Sequence, residues 1–373
     1  CPFIDYVGTT ISSKNSINAL SKFGNKNFSL TVINVFGEWN FYLDNLNSLG
    51  VEVINLGINK EIPYFKKKGF FLSRLIYFKI FFLGFFPLLK ILKKRKPDYL
   101  IVSLVTFLPL IINYIFKLKT KIILRISGLP KLNVIRLFFW KIMISKIEWI
   151  FSPTIFTNNM LKKKFPTQSN KIKMIRDPIF SYKEILEYKK KYSLFNKKNN
   201  FYLAIGRLTK QKNFKFLINV ISKYNSNNKK KINVLVLGDG EEKKSLKLLS
   251  KKLNINRNIK FLGFKKNTFK YFFNAKALIC TSLWEDPGFI LIESGLANLP
   301  VISNSCLGGP IEILNNEKNG YLYEFNSMEG LISKIKQFEK DDQEVIFRKK
   351  VNMKIYSRNF SILKFYKNFI NYV

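Results

Sequence analysis

Residues 281–300 read TSLWEDPGFILIESGLANLP. An apolar β-type run over 277–281 ends here, Asp286-Pro287-Gly288 makes a turn, a helical pattern fills 289–298, and a second apolar run starts at Val301. Strand, turn, helix and strand in that order form the repeating unit of a parallel sheet. The alternation extends to both sides. Strands are expected over 201–205, 232–237, 259–262, 277–281 and 301–304, and helices over 213–222, 241–253, 267–274 and 289–298. Gly206, Gly238-Asp239-Gly240 and Gly263 punctuate the strand ends. The second half therefore reads as a doubly wound α/β domain of the Rossmann kind.

The first half repeats the pattern less cleanly, with strands expected over 3–7, 29–35, 51–56, 99–104, 121–126, 147–152 and 171–175. A chain of 373 residues exceeds what one hydrophobic core usually supports, which agrees with two domains. Pro178, a charged stretch and the run Asn196-Lys197-Lys198-Asn199-Asn200 give residues 177–200 the composition of a linker. The expected division is an N-terminal Rossmann-like domain over 1–180, a C-terminal one over 181–345, and C-terminal helices over 346–373.

Hydrophobic residues at 47% and charged residues at 24% give enough core material for two globular domains. The charge is lopsided: 64 Lys+Arg against 24 Asp+Glu leave +40. That excess suits a polyanionic partner such as anionic lipid, a phosphorylated substrate or nucleic acid. Lys, Asn, Ile and Phe are abundant together throughout the chain, so a uniform compositional drift competes with a functional origin. Histidine is absent, which excludes a Ser-His-Asp or Cys-His arrangement and any His-liganded metal. Cys1, Cys280 and Cys306 are too few and too widely spaced for a disulfide framework or a metal knuckle, which favours a cytoplasmic setting. The chain begins at Cys1 without Met, the mark of a trimmed or partial N-terminus.

Two apolar stretches bear on membranes. Residues 70–92 are rich in Phe, Leu and Ile but are broken by Arg74, Lys79, Gly84, Pro87 and Lys90, and Lys93-Lys94-Arg95-Lys96 follows. Each central Lys or Arg costs ~3 kcal/mol on insertion scales, so a spanning helix is a poor fit. An interfacial helix on anionic lipid and a long core helix with a basic end fit equally. Residues 100–116, interrupted by Pro109 and Asn113, read as a buried strand followed by a packed helix.

The chemistry concentrates at the carboxyl ends of the second-half strands, where open α/β sheets bind ligands. Glu285 falls in a loop there. Glu293 lies about two turns into an otherwise apolar helix, a costly place for a carboxylate unless it is hydrogen-bonded, and this favours a functional role over a solvated one. Free N–H groups at the helix start, Gly288 to Ile290, suit a phosphate. Arg207 and Lys212, following a strand end, form an electrostatic clamp for developing phosphate charge.

The Glu285-x7-Glu293 spacing, with its surroundings, resembles the retaining glycosyltransferases of family 4, which have the GT-B architecture. The resemblance runs in order through Gly206-Arg207-Leu208, Gln211-Lys212-Asn213, Leu237-Gly238-Asp239-Gly240, Ile259 to Gly263, the Glu285/Glu293 window, Pro300-Val301-Ile302, Gly308-Gly309-Pro310 and Asn319-Gly320-Tyr321. It implies two Rossmann-like doubly wound domains facing across a cleft. It implies transfer of a sugar, with retention, from a nucleotide-diphosphate donor to a glycan or lipid-linked acceptor in cell-surface polysaccharide or lipopolysaccharide synthesis. Arg207 and Lys212 would hold the diphosphate, Glu293 would accept from the ribose hydroxyls, and Glu285 would sit at the donor sugar beside Gly288 and Phe289. Gly240 and Glu241 would lie near the nucleotide.

On the acceptor side the glycine-rich loop of the family is reduced to Gly8-Thr9-Thr10, its first-domain His is missing, and Arg125-Ile126-Ser127-Gly128 follows a strand where a site residue could arise. Gly8, Thr9, Ser127 and Gly128 are the candidates there. No Asp-x-Asp pattern occurs, so no metal and no cofactor beyond the co-substrate is expected. The C-terminal helices, by the same resemblance, would cross back to the first domain, while the basic charge and residues 70–96 suggest a cytoplasmic protein attached peripherally to the inner face of the plasma membrane. Rival readings are another GT-B nucleotide-sugar enzyme such as an epimerase, and a basic membrane- or nucleic-acid-binding protein. Nucleic acid is disfavoured because the aromatics sit mostly in apolar runs.

Overall fold

The computed structural model describes residues 8–24, 27–35, 37–56, 70–103, 107–126, 128, 130, 134–192 and 200–373. The strand expected over 3–7, Ser127 and the middle of the expected linker lie outside these residues. The chain divides into two compact units, one formed by 1–179 with 362–373 and the other by 180–361.

The first unit contains, in order, α1 (Gly8–Phe23), β1 (Thr31–Asn34), α2 (Leu43–Ser48), β2 (Glu52–Asn55), α3 (Phe70–Arg95), β3 (Tyr99–Ser103), α4 (Phe107–Phe116), β4 (Lys121–Arg125), α5 (Val134–Met143), β5 (Ile147–Ser152), α6 (Ile155–Lys164) and β6 (Ile172–Met174). Strands β3-β4-β5-β6 form a parallel sheet in that order, and β1 and β2 pair in parallel separately. Successive side chains of a strand face opposite ways. On β4, Ile122 and Leu124 enter a core with Leu110, Trp140 and Met143, while Ile123 between them joins Ala19, Leu20, Phe365 and Phe369. Helices therefore cover both faces.

The second unit follows with α7 (Tyr182–Tyr192), β7 (Tyr202–Ile205), α8 (Phe214–Asn227), β8 (Val234–Leu237), α9 (Lys243–Lys252), β9 (Ile259–Gly263), α10 (Phe269–Phe272), β10 (Leu278–Cys280) and β11 (Trp284–Glu285). Then come α11 (Phe289–Leu296), β12 (Val301–Asn304), β13 (Leu307–Gly308), α12 (Gly309–Leu314), β14 (Tyr321–Tyr323), α13 (Met328–Lys340) and α14 (Gln343–Ser357). The sheet order is β14-β12-β10-β7-β8-β9, all parallel. Counted from β7, this is the 3-2-1-4-5-6 order of the doubly wound fold, and it reverses direction between β7 and β10. β11 and β13 pair in parallel beyond the sheet.

The C-terminal stretch divides between the two units. Helix α14 stays in the second unit, packed on α11. A Cβ on Gly295 would lie 2.4 Å from Ser357 Oγ and 2.8 Å from Met353 Cγ, so only glycine permits this approach. The last helix, α15 (Ile362–Phe369), belongs to the first unit and buries Ile362, Phe365 and Phe369 beside α1. The division between the units falls between Ile179 and Phe180.

Candidate active site

The carboxyl ends of β7 and β10 flank the point where the strand order reverses, the place where this topology leaves a crevice. After β7 the chain passes Gly206 and Arg207, makes a short 3₁₀ turn at Lys210–Lys212 and enters α8 through Asn213, whose φ is 51°. After β10 it forms Thr281, Ser282 and β11. These two loops are stitched together: Leu283 N–H donates to Gln211 O (2.8 Å), Gln211 Nε2 to Trp284 O (3.1 Å) and Thr281 Oγ1 to Lys212 O (3.0 Å). The Lys212 stem lies across the end of β7, with its Cγ and Cδ 3.0 Å from where a Cβ on Gly206 would stand.

This stitching brings Lys212 and Glu285 together. Lys212 Nζ donates to Glu285 Oε1, and Ser282 Oγ donates to the same oxygen at 2.5 Å. The pair is nearly sealed, with the two side chains 15% and 7% exposed. Asn304 Nδ2 donates to the Ser282 carbonyl (2.9 Å) and so ties the end of β12 to the same loop. Gly308, φ 106°, lets β13 run alongside β11: a Cβ there would stand 1.7 Å from Glu285 O. The backbone on both sides of Glu285 is therefore held, as a positioned reactive group requires.

Arg207 is exposed at the rim and makes no ion pair among the described residues. Gly240 and Glu241 are brought to the same loop, because Leu208 N–H donates to Asp239 O (2.9 Å) and Glu242 N–H to Leu208 O (2.9 Å). Glu241 is exposed, and Asp239 pairs with Lys243 at 2.7 Å. Gly288, φ 96°, caps α11, and the first-turn N–H groups of Phe289 and Ile290 are left without a helix partner.

Glu293 lies on α11. No hydrogen-bond donor among the described residues reaches its carboxylate, and desolvation alone pushes its pKa up to about 7. At neutral pH it is thus divided between acid and carboxylate, poised to accept a bond that makes the ionised form worthwhile.

The acceptor-side candidates lie in the other unit. Gly8 and Thr9 open α1, and Gly128, φ 111°, follows β4 with nothing among the described residues within 4 Å of a Cβ position. Arg125 is not open to a ligand. Its guanidinium is buried against Asp177 (2.5 Å), Ser12 Oγ (2.8 Å) and Ser16 Oγ (2.5 Å), with the ring of Phe365 5.2 Å away, so it binds α1, β4, α15 and the strand exit together. Sequence reasoning missed Ser282, Asn304 and Asp177. Ser282 carried a local signal, a hydroxyl at a strand end three residues before a candidate carboxylate. The others act over long sequence separations and carried none.

Residues 187–360 match the family model of the group 1 glycosyl transferases. An uncharacterized glycosyltransferase of Methanocaldococcus jannaschii is 32% identical over 257 residues, 63% of this chain and 62% of that protein. The N-acetylgalactosamine-N,N'-diacetylbacillosaminyl-diphospho-undecaprenol 4-alpha-N-acetylgalactosaminyltransferase of Campylobacter jejuni is 28% identical over 146 residues, 39% of each protein. The chain thus spans less than two thirds of the length of these relatives. HepE of Anabaena, crystallised in complex with UDP, superposes with a TM-score of 0.73 at 16% identity, covering 99% of this chain and 96% of that one. The fold is that of the GT-B glycosyltransferases, with two Rossmann-like domains.

Proposed function

We propose that the protein transfers a sugar, with retention of configuration, from a nucleotide-diphosphate donor to a glycan or lipid-linked acceptor in polysaccharide or lipopolysaccharide synthesis. The observation that carries the reading is the Lys212–Glu285–Ser282 cluster beside the free cation of Arg207, at the switch point of a 3-2-1-4-5-6 sheet. The ammonium of Lys212 has three N–H donors, of which Glu285 takes one. The rest, with Arg207 and the N–H groups of Phe289 and Ile290, meet the diphosphate and neutralise its charge as the glycosidic bond breaks. A preorganised donor of this kind is worth ~10²–10³ in rate.

In this reading Glu285 orients the donor sugar, and Glu293 accepts hydrogen bonds from the ribose hydroxyls, which stabilises its ionised form. The departing phosphate takes the acceptor proton on the same face, so no protein base is needed in a chain that lacks histidine. Because Arg207 and Lys212 supply the positive charge, turnover continues in EDTA. The UDP bound to HepE makes uridine the first base to test, and the diphospho-undecaprenol in the name of the Campylobacter relative supports a lipid-linked acceptor. The test is a melting-temperature screen of UDP, GDP, ADP and their sugars with EDTA, followed by NMR of the product's anomeric centre. A shift from one nucleotide that Arg207→Ala and Lys212→Met abolish supports the donor site. No shift from any nucleotide in folded protein refutes it, and an inverted anomeric centre refutes retention.

A further inference from the structure

The first unit carries an apolar and basic surface that the transfer reaction does not use. On α3 one exposed set is Lys79, Phe82, Leu83, Phe86, Lys90, Lys93 and Lys94; Arg95 is exposed as well but pairs with Glu52 at 2.5 Å, and Leu88, Leu89 and Leu92 are buried. Three- and four-residue steps place the exposed set on one side of the helix, an apolar centre with lysines at both ends. Phe82 is 69% exposed and Phe86 73%. Helix α5 repeats the arrangement. Val134, Phe138, Lys141, Ile142 and Lys146 point outward along it and just beyond, with Phe138 61% exposed, while Trp140, Met143 and Ile144 are buried.

Helix α4 lies between the two. Its Leu108 and Ile112 pack on the α3 leucines, and its Leu110 packs in the core that holds Trp140. It exposes Tyr114, Ile115 and Phe116 at its end, and Lys93 of α3 sits 4.7 Å over the Phe116 ring. The chain steps β3 to β4 to β5 in one direction through α4 and α5, and right-handed crossovers put both helices on one side of the sheet. Not one Asp or Glu occurs in α3, α4 or α5.

We propose that this acid-free face of α3, α4 and α5 docks the protein on an anionic lipid bilayer, with Phe82, Phe86 and Phe138 entering the headgroup boundary. An apolar stripe flanked by lysines is the pattern of a helix lying in the interface, where the long side chains reach up to phosphate. No described helix is long and apolar enough to cross a membrane. A second copy of the chain fits poorly, because it would bring lysine rows against lysine rows. The inference goes beyond the transfer reaction and does not depend on it.

The test is sedimentation of the full chain with vesicles of phosphatidylcholine alone and of phosphatidylcholine with phosphatidylglycerol. Wild type is expected to sediment with the anionic vesicles, to stay in solution with the neutral ones and to be released by high salt. Phe82→Ser/Phe86→Ser/Phe138→Ser should weaken the anionic partition at least tenfold, and so should Lys90→Glu/Lys94→Glu. The melting temperature and nucleotide response of both should be unchanged, since every altered side chain is exposed. Wild type that fails to sediment overturns the proposal, as does a serine triple variant that sediments like wild type. A concentration-dependent dimer that the triple variant dissolves assigns the face to a second copy and overturns it equally.

Discussion

Replacing Glu293 by Gln separates two effects of one half-buried carboxyl group. Its pKa is raised from the ordinary 4.5 to about 7 by desolvation, which corresponds to ~3 kcal/mol against the ionised form. The folded state therefore holds a proton that the unfolded state has already lost between those values. The penalty is absent below the unfolded pKa, grows as pH rises and is complete above the folded one. Gln keeps the shape and cannot ionise. Urea unfolding should show the variant more stable than wild type by up to ~3 kcal/mol at about pH 8.5, and no more stable at about pH 4.5. Donor binding should move the other way. Losing a charge-assisted acceptor for the ribose hydroxyls costs ~1.5–3 kcal/mol, or roughly 10- to 100-fold in Kd. Titration calorimetry with a UDP-sugar and its 2′-deoxyribose analogue gives the cycle. Wild type should lose affinity for the deoxy ligand, and the variant should no longer distinguish the two. A variant that gains no stability at high pH refutes the desolvation argument. One that still prefers the ribose ligand refutes the hydroxyl assignment.

Four further single substitutions probe the same framework. Lys212→Met leaves Glu285 buried without its counter-ion and should cost ~3–5 kcal/mol in urea unfolding at neutral pH; adding Glu285→Gln should recover most of the stability and none of the activity. Glu339, which burial alone would raise, is instead held at about 2 by hydrogen bonds from Lys276, Tyr202 and Lys230. Its contribution is full above the unfolded carboxylate range and is lost as pH falls through about 2, so Glu339→Gln should destabilise the protein by ~1–2 kcal/mol at neutral pH and progressively less in acid. Gly308→Ala drives a methyl group into the Glu285 carbonyl and should lower both stability, by ~2 kcal/mol or more, and turnover. Gly128→Ala, at a similar φ but in open space, should cost only ~1 kcal/mol, as calorimetry can verify.

The second unit was legible because its strands are buried on both faces and end in Gly or Asp, which makes period and punctuation agree. The expected 301–304 strand is β12 itself, and 259–262 falls one residue short of β9. The two-residue strands β11 and β13 were not legible. They have no periodicity, and the absence of a side chain at Gly308 that permits their pairing is a tertiary fact. Lys212 shows the same limit. Spacing made it a candidate, but in a lysine-rich chain only the contact with Glu285, 73 residues away, separates it from the solvated ones. Arg125 shows the converse. It was no candidate from the sequence, and its structural role depends on Asp177, 52 residues on.

The charge of +40 also resolves by location in a way composition could not show. In the second unit several lysines have an acid opposite: Lys230 and Lys276 share Glu339, Lys223 meets Glu329, Lys243 meets Asp239 and Lys334 meets Glu317. Most of these pairs are at the surface and contribute little to stability, but they cancel charge locally. Helices α3, α4 and α5 hold no acid of their own, although Arg95 at the end of α3 meets Glu52. A uniform drift toward lysine would add cations everywhere. It would also leave helices without carboxylates elsewhere, as α8, α9 and α10 are, but it would not by itself leave phenylalanine exposed between the lysines, as Phe82 and Phe86 are on α3. On the proposed readings the excess acts on that face and at Arg207, and much less where it meets its own counter-ions. Raised salt should accordingly release vesicles and weaken nucleotide binding while leaving the fold of the second unit nearly unchanged.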